Sequence, residues 1–147
     1  MVNKILMVCV GNICRSPMAE AILKHRAQIA NVPLTVSSAG IAALVGRSAV
    51  SEVQTLLARE GIDCSAHRAR QLTSAMLLEA DLVLVMEKNH RQEIERTFPS
   101  VCGKVHLLGK WENFEIPDPY KKSQQIFQDT HQLIIQGLDQ WQAKLWN

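Results

Sequence analysis

The sequence predicts an α/β fold in which a four-stranded parallel sheet is flanked by helices on both faces. Short apolar runs alternate with helical patterns along all 147 residues, and no internal repeat, low-complexity tract or linker divides them. Apolar runs without polar alternation are typical of strands that are buried on both faces. Alternation of such strands with helices favours a parallel sheet. We therefore expect residues 1–147 to form a single domain.

The first strand and the first helix are joined by a short loop. Residues 4–10 form a continuous apolar run that ends at Gly11. Ser16 and Pro17 predict a helix start, because they place a capping hydroxyl before a proline at the first helical position. The helical pattern then continues to about Ala30.

Two further strand and helix units follow. Residues 34–38 predict the second strand, and the apolar spacing of residues 50–57 predicts a helix that Gly61 can end. A short helix after Thr73 precedes residues 81–86, which predict the third buried strand.

The last third of the chain contains the fourth strand and two helices. A polar helix over residues 88–97 stops before Pro99, and residues 104–108 predict a short strand. After the irregular residues 109–120, the last helix begins near Ser123. Its apolar residues recur at helical spacing and are expected to face the core: Phe127, Ile134, Leu138, Trp141 and Leu145.

Composition and charge exclude several classes of function. The 16 basic and 14 acidic residues are scattered, and a net charge of +2 argues against bulk nucleic-acid binding. No stretch approaches the ~20 apolar residues that a membrane span needs. The N-terminus enters a strand at once, without the layout of a signal peptide. We expect a cytoplasmic protein with no stable membrane insertion.

The cysteines indicate neither a disulfide framework nor a metal site. In a reducing compartment the four cysteines are expected to be thiols. Cys64 and His67 offer two possible zinc ligands, but no second pair follows at zinc-like spacing. We expect no metal and no other cofactor.

The loop after the first strand predicts a phosphate-binding site. Residues 9–17 read CVGNICRSP. A strand-to-helix junction can aim successive backbone N–H groups at one point, and the positive end of the helix dipole lies beside it. Gly11 and Asn12 accept the positive φ angles that such a loop needs. Arg15 supplies a planar fork that can bind two phosphate oxygens at once.

Cys9 is the candidate nucleophile of this loop. It lies at the carboxyl end of the first strand, where parallel sheets bind their ligands. The positive field of the loop and a hydrogen bond from Ser16 favour its thiolate, the form that attacks. The alternative is a buried structural cysteine, but an apolar strand end has no packing use for Gly, Asn, Arg and Ser in close succession. Cys9, the loop and Arg15 predict attack on phosphorus without a metal ion.

Motifs along nearly the whole chain resemble those of the low-molecular-weight protein tyrosine phosphatases. In the family's order they are VCVGNICRSP at 8–17, SAG at 38–40, GI at 61–62, HRARQ at 67–71 and DPY at 118–120. The resemblance implies an enzyme that hydrolyses phosphotyrosine in a protein substrate through a cysteinyl-phosphate intermediate.

The resemblance also implies residue roles that local patterns do not assign. By local pattern alone, Asp118 is a turn residue before a proline. In the family it resembles the general acid, which protonates the leaving tyrosyl oxygen and then activates water. Tyr120 resembles an aromatic wall of the substrate slot. Asn12, Ser38 and His67 match residues that support the loop. The expected phosphate-binding and supporting set is Val10, Gly11, Asn12, Ile13, Cys14, Ser16, Ser38 and His67.

Two departures from the eukaryotic pattern resemble the bacterial branch associated with tyrosine autokinases and capsule or exopolysaccharide export. The loop over residues 41–47 contains no aromatic residue, and Tyr120 is followed by Lys121 instead of a second tyrosine. Leu44 and Arg47 therefore become candidate substrate contacts. The resemblance implies a tyrosine autokinase as the partner, and we expect a monomer.

Two other functions and one role stay open at this point. A thiol-dependent arsenate reductase resembles this fold and loop but needs a relay of further cysteines, and Cys64 and Cys102 are not a close pair. A non-catalytic phosphate-binding module needs no thiol. Cys14 is either a small apolar loop residue or the partner of Cys9 in a reversible, protective disulfide.

Overall fold

The computed structural model describes residues 1–146, which form four strands and five α-helices. Short 3-10 turns follow α4 and β4. All strands and helices that the sequence predicts are present, with ends that shift by a few residues. Their bounds in chain order are β1 (Lys4–Cys9), α1 (Arg15–Ile29), β2 (Thr35–Gly40), α2 (Ser51–Ala58), α3 (Ser74–Glu79), β3 (Leu82–Val85), α4 (Lys88–Thr97), β4 (Val105–Leu107) and α5 (Gln124–Leu145).

The four strands form one parallel sheet in the order β2-β1-β3-β4. β1 is therefore an inner strand, and its last residue, Cys9, pairs with Gly40 at the end of β2. The carboxyl ends of all four strands meet at one edge of the sheet. The predicted four-stranded parallel sheet is confirmed, and Cys9 lies at the edge where such sheets bind ligands.

The sheet separates two hydrophobic cores. Side chains alternate along a strand, so Ile5 and Met7 of β1 face α1, α2 and α5, while Leu6 and Val8 face α3 and α4. All four are at most 2% exposed. This burial on both faces explains why β1 reads as a continuous apolar run.

The last helix packs closely against the segment that follows β4. Four of the five apolar residues predicted to face the core are buried in α5, and Leu145 packs partly buried against them. A Cβ atom at Gly137 would lie 2.8 Å from the carbonyl oxygen of Leu108, so only glycine permits this approach. No helix within residues 1–146 is long and apolar enough to cross a bilayer.

The start of α1 differs from the prediction. The helix begins at Arg15, its N-cap is Cys14, and no side chain caps it. The prediction that Ser16 is the cap was wrong, because the Ser16 hydroxyl is bonded to Asn12 and Cys9 instead. The first-turn N–H groups of α1 therefore lack a side-chain cap and remain available to a ligand.

Candidate active site

A pocket of about 180 Å³ opens at the carboxyl end of β1. The loop from Cys9 to Arg15 forms its floor, Asp118 and Tyr120 line it, and Ala42 and Leu44 complete the wall. A larger groove of about 500 Å³ lies between α1 and residues 61–67 but contains neither Cys9 nor Arg15. The smaller pocket is therefore the one that holds the predicted chemistry.

The loop turns its carbonyl groups outward and leaves its N–H groups free. Three carbonyl oxygens accept hydrogen bonds of 3.0 Å from neighbouring main-chain N–H groups: Val10 from Ala42, Gly11 from Leu44, and Ile13 from Val50. In the described part of the chain, the N–H groups of residues 11–14 donate to no acceptor. Free N–H groups along a tight loop that ends in a helix form a binding site for an anion.

Asn12 holds the loop in shape from inside the protein. It is completely buried and its φ angle is +61°. Its Oδ1 accepts a 2.9 Å hydrogen bond from the backbone N–H of Arg70, which fixes the orientation of the amide. Its Nδ2 then donates to Ser16 Oγ at 2.8 Å and to Ser38 Oγ at 3.0 Å. Asn12 thereby connects the loop to α1, to β2 and to the segment before α3.

Three more side chains support this network from outside. Ser38 Oγ donates to the Glu20 carboxylate, and Arg70 Nε donates to the Ser38 carbonyl at 2.8 Å. His67 Nε2 lies 2.8 Å from the carbonyl oxygen of Asn12. Because a carbonyl can only accept, Nε2 carries the proton of this imidazole. Together these contacts hold the Asn12 carbonyl away from the pocket.

The Cys9 thiol is buried, and within residues 1–146 it makes one side-chain hydrogen bond. Its sulfur lies 2.9 Å from Ser16 Oγ. Ser16 accepts a hydrogen bond from the Asn12 amide, so its own hydroxyl proton is available to a thiolate at Cys9, which can only accept. The neighbouring Cys14 differs: burial raises its thiol pKa to about 12, and negative charge at Asp118 and Cys9 adds to the effect. Cys14 therefore stays protonated, and both thiols are free of disulfides.

Arg15 is held at one end of its guanidinium group. The side chain is 2% exposed, and Nη1 donates to the Glu87 carboxylate at 2.5 Å and to the Ile116 carbonyl at 2.9 Å. Within residues 1–146, Nε and Nη2 have no hydrogen-bond partner. Nε and Nη2 form the edge of the fork that can bind two phosphate oxygens. Glu87 and Ile116 thus anchor the arginine and leave its bidentate edge unoccupied.

Glu87 is itself fixed at the start of α4. It is the N-cap of that helix and forms a capping box with His90, whose Nδ1 accepts from the Glu87 N–H at 3.2 Å. Burial lowers the pKa of His90, and the positive charge of Arg15 lowers it further, although Glu87 acts in the opposite direction. His90 is therefore neutral at neutral pH, and Glu87 neutralises Arg15.

Asp118 and Tyr120 come from one turn opposite the loop. The exposed Asp118 carboxylate accepts a 3.0 Å hydrogen bond from the Tyr120 N–H. The Lys122 N–H donates to the Pro119 carbonyl at 2.9 Å, and Lys121 between them has a φ angle of +62°. This turn places a carboxylate and an aromatic ring on the same wall of the pocket.

The predicted site residues separate into three groups. The residues that line the pocket are Cys9, Val10, Gly11, Asn12, Ile13, Cys14, Arg15, Leu44, Asp118 and Tyr120. Ser16, Ser38 and His67 lie behind the loop and bond to it. Arg47 is exposed and does not line the pocket. No group of three or more potential ligands for a metal ion is present within residues 1–146.

The sequence reasoning missed three charged residues that act on the loop: Glu20, Arg70 and Glu87. Glu20 and Arg70 act on the loop through hydrogen bonds to Ser38 and Asn12, which are distant in sequence. No local sequence pattern predicts such contacts. Glu87 had a signal, because it is the first charged residue after the buried strand β3. A charged residue at the carboxyl edge of a parallel sheet is a candidate for the ligand site.

The similarities to known proteins agree with this geometry. Residues 4–147 match the family model described as low molecular weight phosphotyrosine protein phosphatase. The chain is 46% identical to the low molecular weight protein-tyrosine-phosphatase Ptp of Acinetobacter johnsonii, over 95% of each chain. It is 44% identical to the probable low molecular weight protein-tyrosine-phosphatase EpsP of Ralstonia solanacearum, over 99% of this chain and 97% of that one. The solved structure of Vibrio vulnificus Wzb in complex with benzylphosphonate has a TM-score of 0.92 at 40% identity, and the match covers 99% of this chain and 100% of that one.

Proposed function

The chain belongs to the family of low molecular weight phosphotyrosine protein phosphatases, and we propose that it hydrolyses phosphotyrosine through a phosphorylated Cys9. The observation that carries this mechanism is the set of free N–H groups of residues 11–14 beside the Cys9 sulfur and the Arg15 guanidinium. These groups supply a nucleophile and donors for the phosphate oxygens. No metal ion is required for that charge stabilisation.

In the first proposed step, the Cys9 thiolate attacks phosphorus. The sulfur–phosphorus bond forms while the bond from phosphorus to the tyrosyl oxygen breaks, and its electron pair leaves with that oxygen. Arg15 and the loop N–H groups bind the three equatorial oxygens. Asp118 is the proton donor for the leaving oxygen, a role supported by its place on the pocket wall.

In the second proposed step, water attacks phosphorus from the position that the tyrosyl oxygen has left. The Asp118 carboxylate accepts a proton from the water, and the sulfur–phosphorus bond breaks with its electron pair on sulfur. Inorganic phosphate is released and Cys9 returns to the thiolate. The Ser16 hydroxyl, 2.9 Å from the sulfur, stabilises that thiolate in the free enzyme and as the leaving group.

The walls of the pocket support an aryl phosphate as substrate. Leu44 and Tyr120 line it above the loop, so an aromatic ring between phosphate and peptide has apolar side chains to contact. The side chains of phosphoserine and phosphothreonine are shorter and offer no ring. The related Wzb of Vibrio vulnificus binds benzylphosphonate, which also pairs a ring with a phosphoryl-like group.

Replacement of Cys9 by Ser tests the mechanism. We expect Cys9→Ser to bind phosphate with unchanged affinity but to lose turnover of p-nitrophenyl phosphate by about four orders of magnitude or more, since a hydroxyl is a far weaker nucleophile than a thiolate. The matched control is Cys102→Ser, because Cys102 is exposed and outside the pocket. Substantial turnover by Cys9→Ser would exclude Cys9 as the nucleophile.

For the partner, we propose a tyrosine autokinase that controls capsule or exopolysaccharide production. The support is the resemblance of residues 41–47 and Lys121 to the bacterial branch, together with similarity to the proteins named EpsP and Wzb. The Cys9→Ser variant should retain the phosphorylated kinase on a column and release it when phosphate is added. Retention of the unphosphorylated kinase to the same extent would contradict recognition through phosphotyrosine.

A further inference from the structure

A second concave surface lies at the same edge of the sheet as the candidate active site. It is a groove of about 420 Å³ between α4 on one side and β4 with the segment that follows it on the other. Lys88 and Arg91 line it from α4, and His106 and Lys110 line it from the other side. We refer to these four residues and the space between them as the cationic groove. Nothing in the proposed reaction uses it.

The charges of the cationic groove are only partly balanced. One carboxylate, Glu95, lines it and lies 3.4 Å from Arg91 Nε. Within residues 1–146, neither Lys88 nor Lys110 has a carboxylate within 4 Å of its ammonium group. Both are exposed, so the groove presents excess positive charge to solvent.

Lys110 is held where it faces the groove. Its Nζ donates to Nδ1 of His106 at 3.5 Å and lies 4.7 Å from the centre of the Trp111 ring. Burial lowers the pKa of His106, and the positive charges of Lys110 and Arg91 lower it further against the opposing charge of Glu95. The positive field of Lys110 and Arg91 at His106 also favours an anion at the same place.

Another carboxylate close to the groove is already engaged. Glu115 accepts a 2.6 Å hydrogen bond from the backbone N–H of Lys88 at the start of α4. Within residues 1–146, this carboxylate forms no ion pair with the Lys88 ammonium group, which is exposed to solvent.

The sheet places the groove within reach of a peptide bound at Cys9. The active-site loop follows β1, and the groove lies beyond β4, two strands away in the order β2-β1-β3-β4. Neighbouring strands are about 4.8 Å apart, so the two sites are separated by roughly 10–20 Å. An extended peptide covers that span with about three to six residues.

We propose that the cationic groove binds a second phosphoryl group on the protein substrate whose phosphotyrosine occupies the Cys9 pocket. The inference rests on the proposed function, because it names a feature of the same substrate. The group recognised is a compact dianion, such as the phosphoryl group of a phosphorylated side chain. A carboxylate carries only about half of that charge. The enzyme therefore prefers polypeptides phosphorylated at two nearby positions.

The groove is tested with peptides that carry only one hydrolysable phosphate, because a peptide with two would react faster simply by offering two reactive groups. The test peptide has phosphotyrosine and, about five residues away, phosphonomethyl-phenylalanine, which keeps the dianion but cannot be hydrolysed. The control peptides have phenylalanine or glutamate at the second position. We expect the wild-type enzyme to hydrolyse the phosphonate peptide with about ten-fold higher kcat/KM than the phenylalanine peptide. The gain should be smaller for glutamate and should fall as salt is raised.

The variant Arg91→Gln with Lys110→Gln should reduce that ratio to about one and leave hydrolysis of p-nitrophenyl phosphate unchanged. Lys4→Gln with Arg59→Gln is the matched control, because it removes the same two charges from exposed positions outside the groove. Lys88→Glu is a second, independent variant. It lies in the first turn of α4, where a carboxylate suits the helix dipole, and it should also lower the ratio.

Binding can also be observed directly at His106. The NMR signals of its imidazole ring should shift on addition of the phosphonate peptide and not on addition of the phenylalanine peptide. Equal kcat/KM values for the two peptides in the wild-type enzyme would overturn the inference, and so would a preference that survives in both groove variants. In either case, hydrolysis of the phenylalanine peptide would leave the proposed function intact. Retained turnover in Cys9→Ser would instead refute the proposed mechanism and would not bear on the groove.

Discussion

The guanidinium of Arg15 and the carboxylate of Glu87 form an ion pair with 2.5 Å between Nη1 and Oε2. The arginine is almost completely buried, whereas the glutamate side chain is 30% exposed. A buried guanidinium needs a partner charge, and here the partner binds Nη1, which leaves Nε and Nη2 for the proposed phosphate. The Ile116 carbonyl binds the same nitrogen at 2.9 Å. Arg15 is therefore oriented before any ligand arrives, which lowers the entropy that binding must overcome.

Replacement of Glu87 by Gln should weaken this orientation without removing the hydrogen-bond acceptor. We expect kcat/KM for p-nitrophenyl phosphate to fall about ten-fold and the free energy of unfolding to fall by about 1 kcal/mol, a value reduced for the partial exposure of Glu87. Steady-state kinetics and urea denaturation measure both effects. Glu115→Gln, which removes a carboxylate bonded to the backbone of Lys88, is the control. An unchanged kcat/KM in Glu87→Gln would show that the Ile116 carbonyl alone orients Arg15.

Replacement of Asp118 by Asn should reveal its role through the leaving group. Without a proton donor, a poor leaving group such as phenol suffers more than p-nitrophenol, whose oxygen needs no proton to depart. We expect a loss of about 100-fold or more in kcat/KM for phenyl phosphate and a much smaller loss for p-nitrophenyl phosphate. A uniform loss over a series of aryl phosphates would argue that Asp118 is not the acid.

Replacement of Asn12 should damage both the backbone and the network of the loop. Asn12→Ala removes the bonds to Ser16, Ser38 and the Arg70 N–H and leaves alanine at a positive φ angle. We expect it to lower the free energy of unfolding by about 2–4 kcal/mol. Asn12→Gly removes the same bonds but accepts the angle, so it should cost about 1 kcal/mol less.

The exposed Asn31 provides the control for Asn12, because its φ angle is +54° and it lies outside the pocket. Asn31→Ala measures the cost of the left-handed backbone alone, which should be about 1 kcal/mol. Chemical denaturation compares the three variants. If Asn12→Ala cost no more than Asn31→Ala, the side-chain bonds of Asn12 would contribute nothing to stability.

His90 should make the fold less stable in mild acid. Its pKa is lowered in the folded protein, mainly by burial, so the folded state favours the neutral imidazole. Its contribution to stability is therefore complete above the ordinary value of about 6.5 and is lost as pH falls through and below that value. His90→Gln should flatten the dependence of the free energy of unfolding on pH between about 6.5 and 5. His25→Gln is the control, because His25 is a half-buried histidine of α1 outside the active-site pocket. Identical slopes in His90→Gln and the wild type would refute the prediction.

The order of strands and helices could be predicted because it depends on short-range patterns. The buried run of β1, the apolar spacing of α5 and the glycine and proline positions between them each have a local cause, and the observed fold confirms them. The start of α1 could not be predicted, because Ser16 has two possible uses. A capping hydroxyl and a hydroxyl directed at Cys9 look alike in a sequence, and only the position of the β1 end beside α1 selects the second.

The sequence by itself determined that one loop at the end of β1 holds Cys9, Gly11, Asn12 and Arg15, a combination that predicts a site for a phosphoryl group. These residues are close together in the chain, so no folding information is needed to bring them together. Only the tertiary structure decided which distant side chains act on the loop. Glu87 meets Arg15 across 72 positions and Arg70 meets Asn12 across 58, because the parallel sheet brings the ends of β1 and β3 together and the segment after His67 against the loop. Separations of that length leave no periodic pattern in a sequence, since each contact arises from the packing of the whole fold.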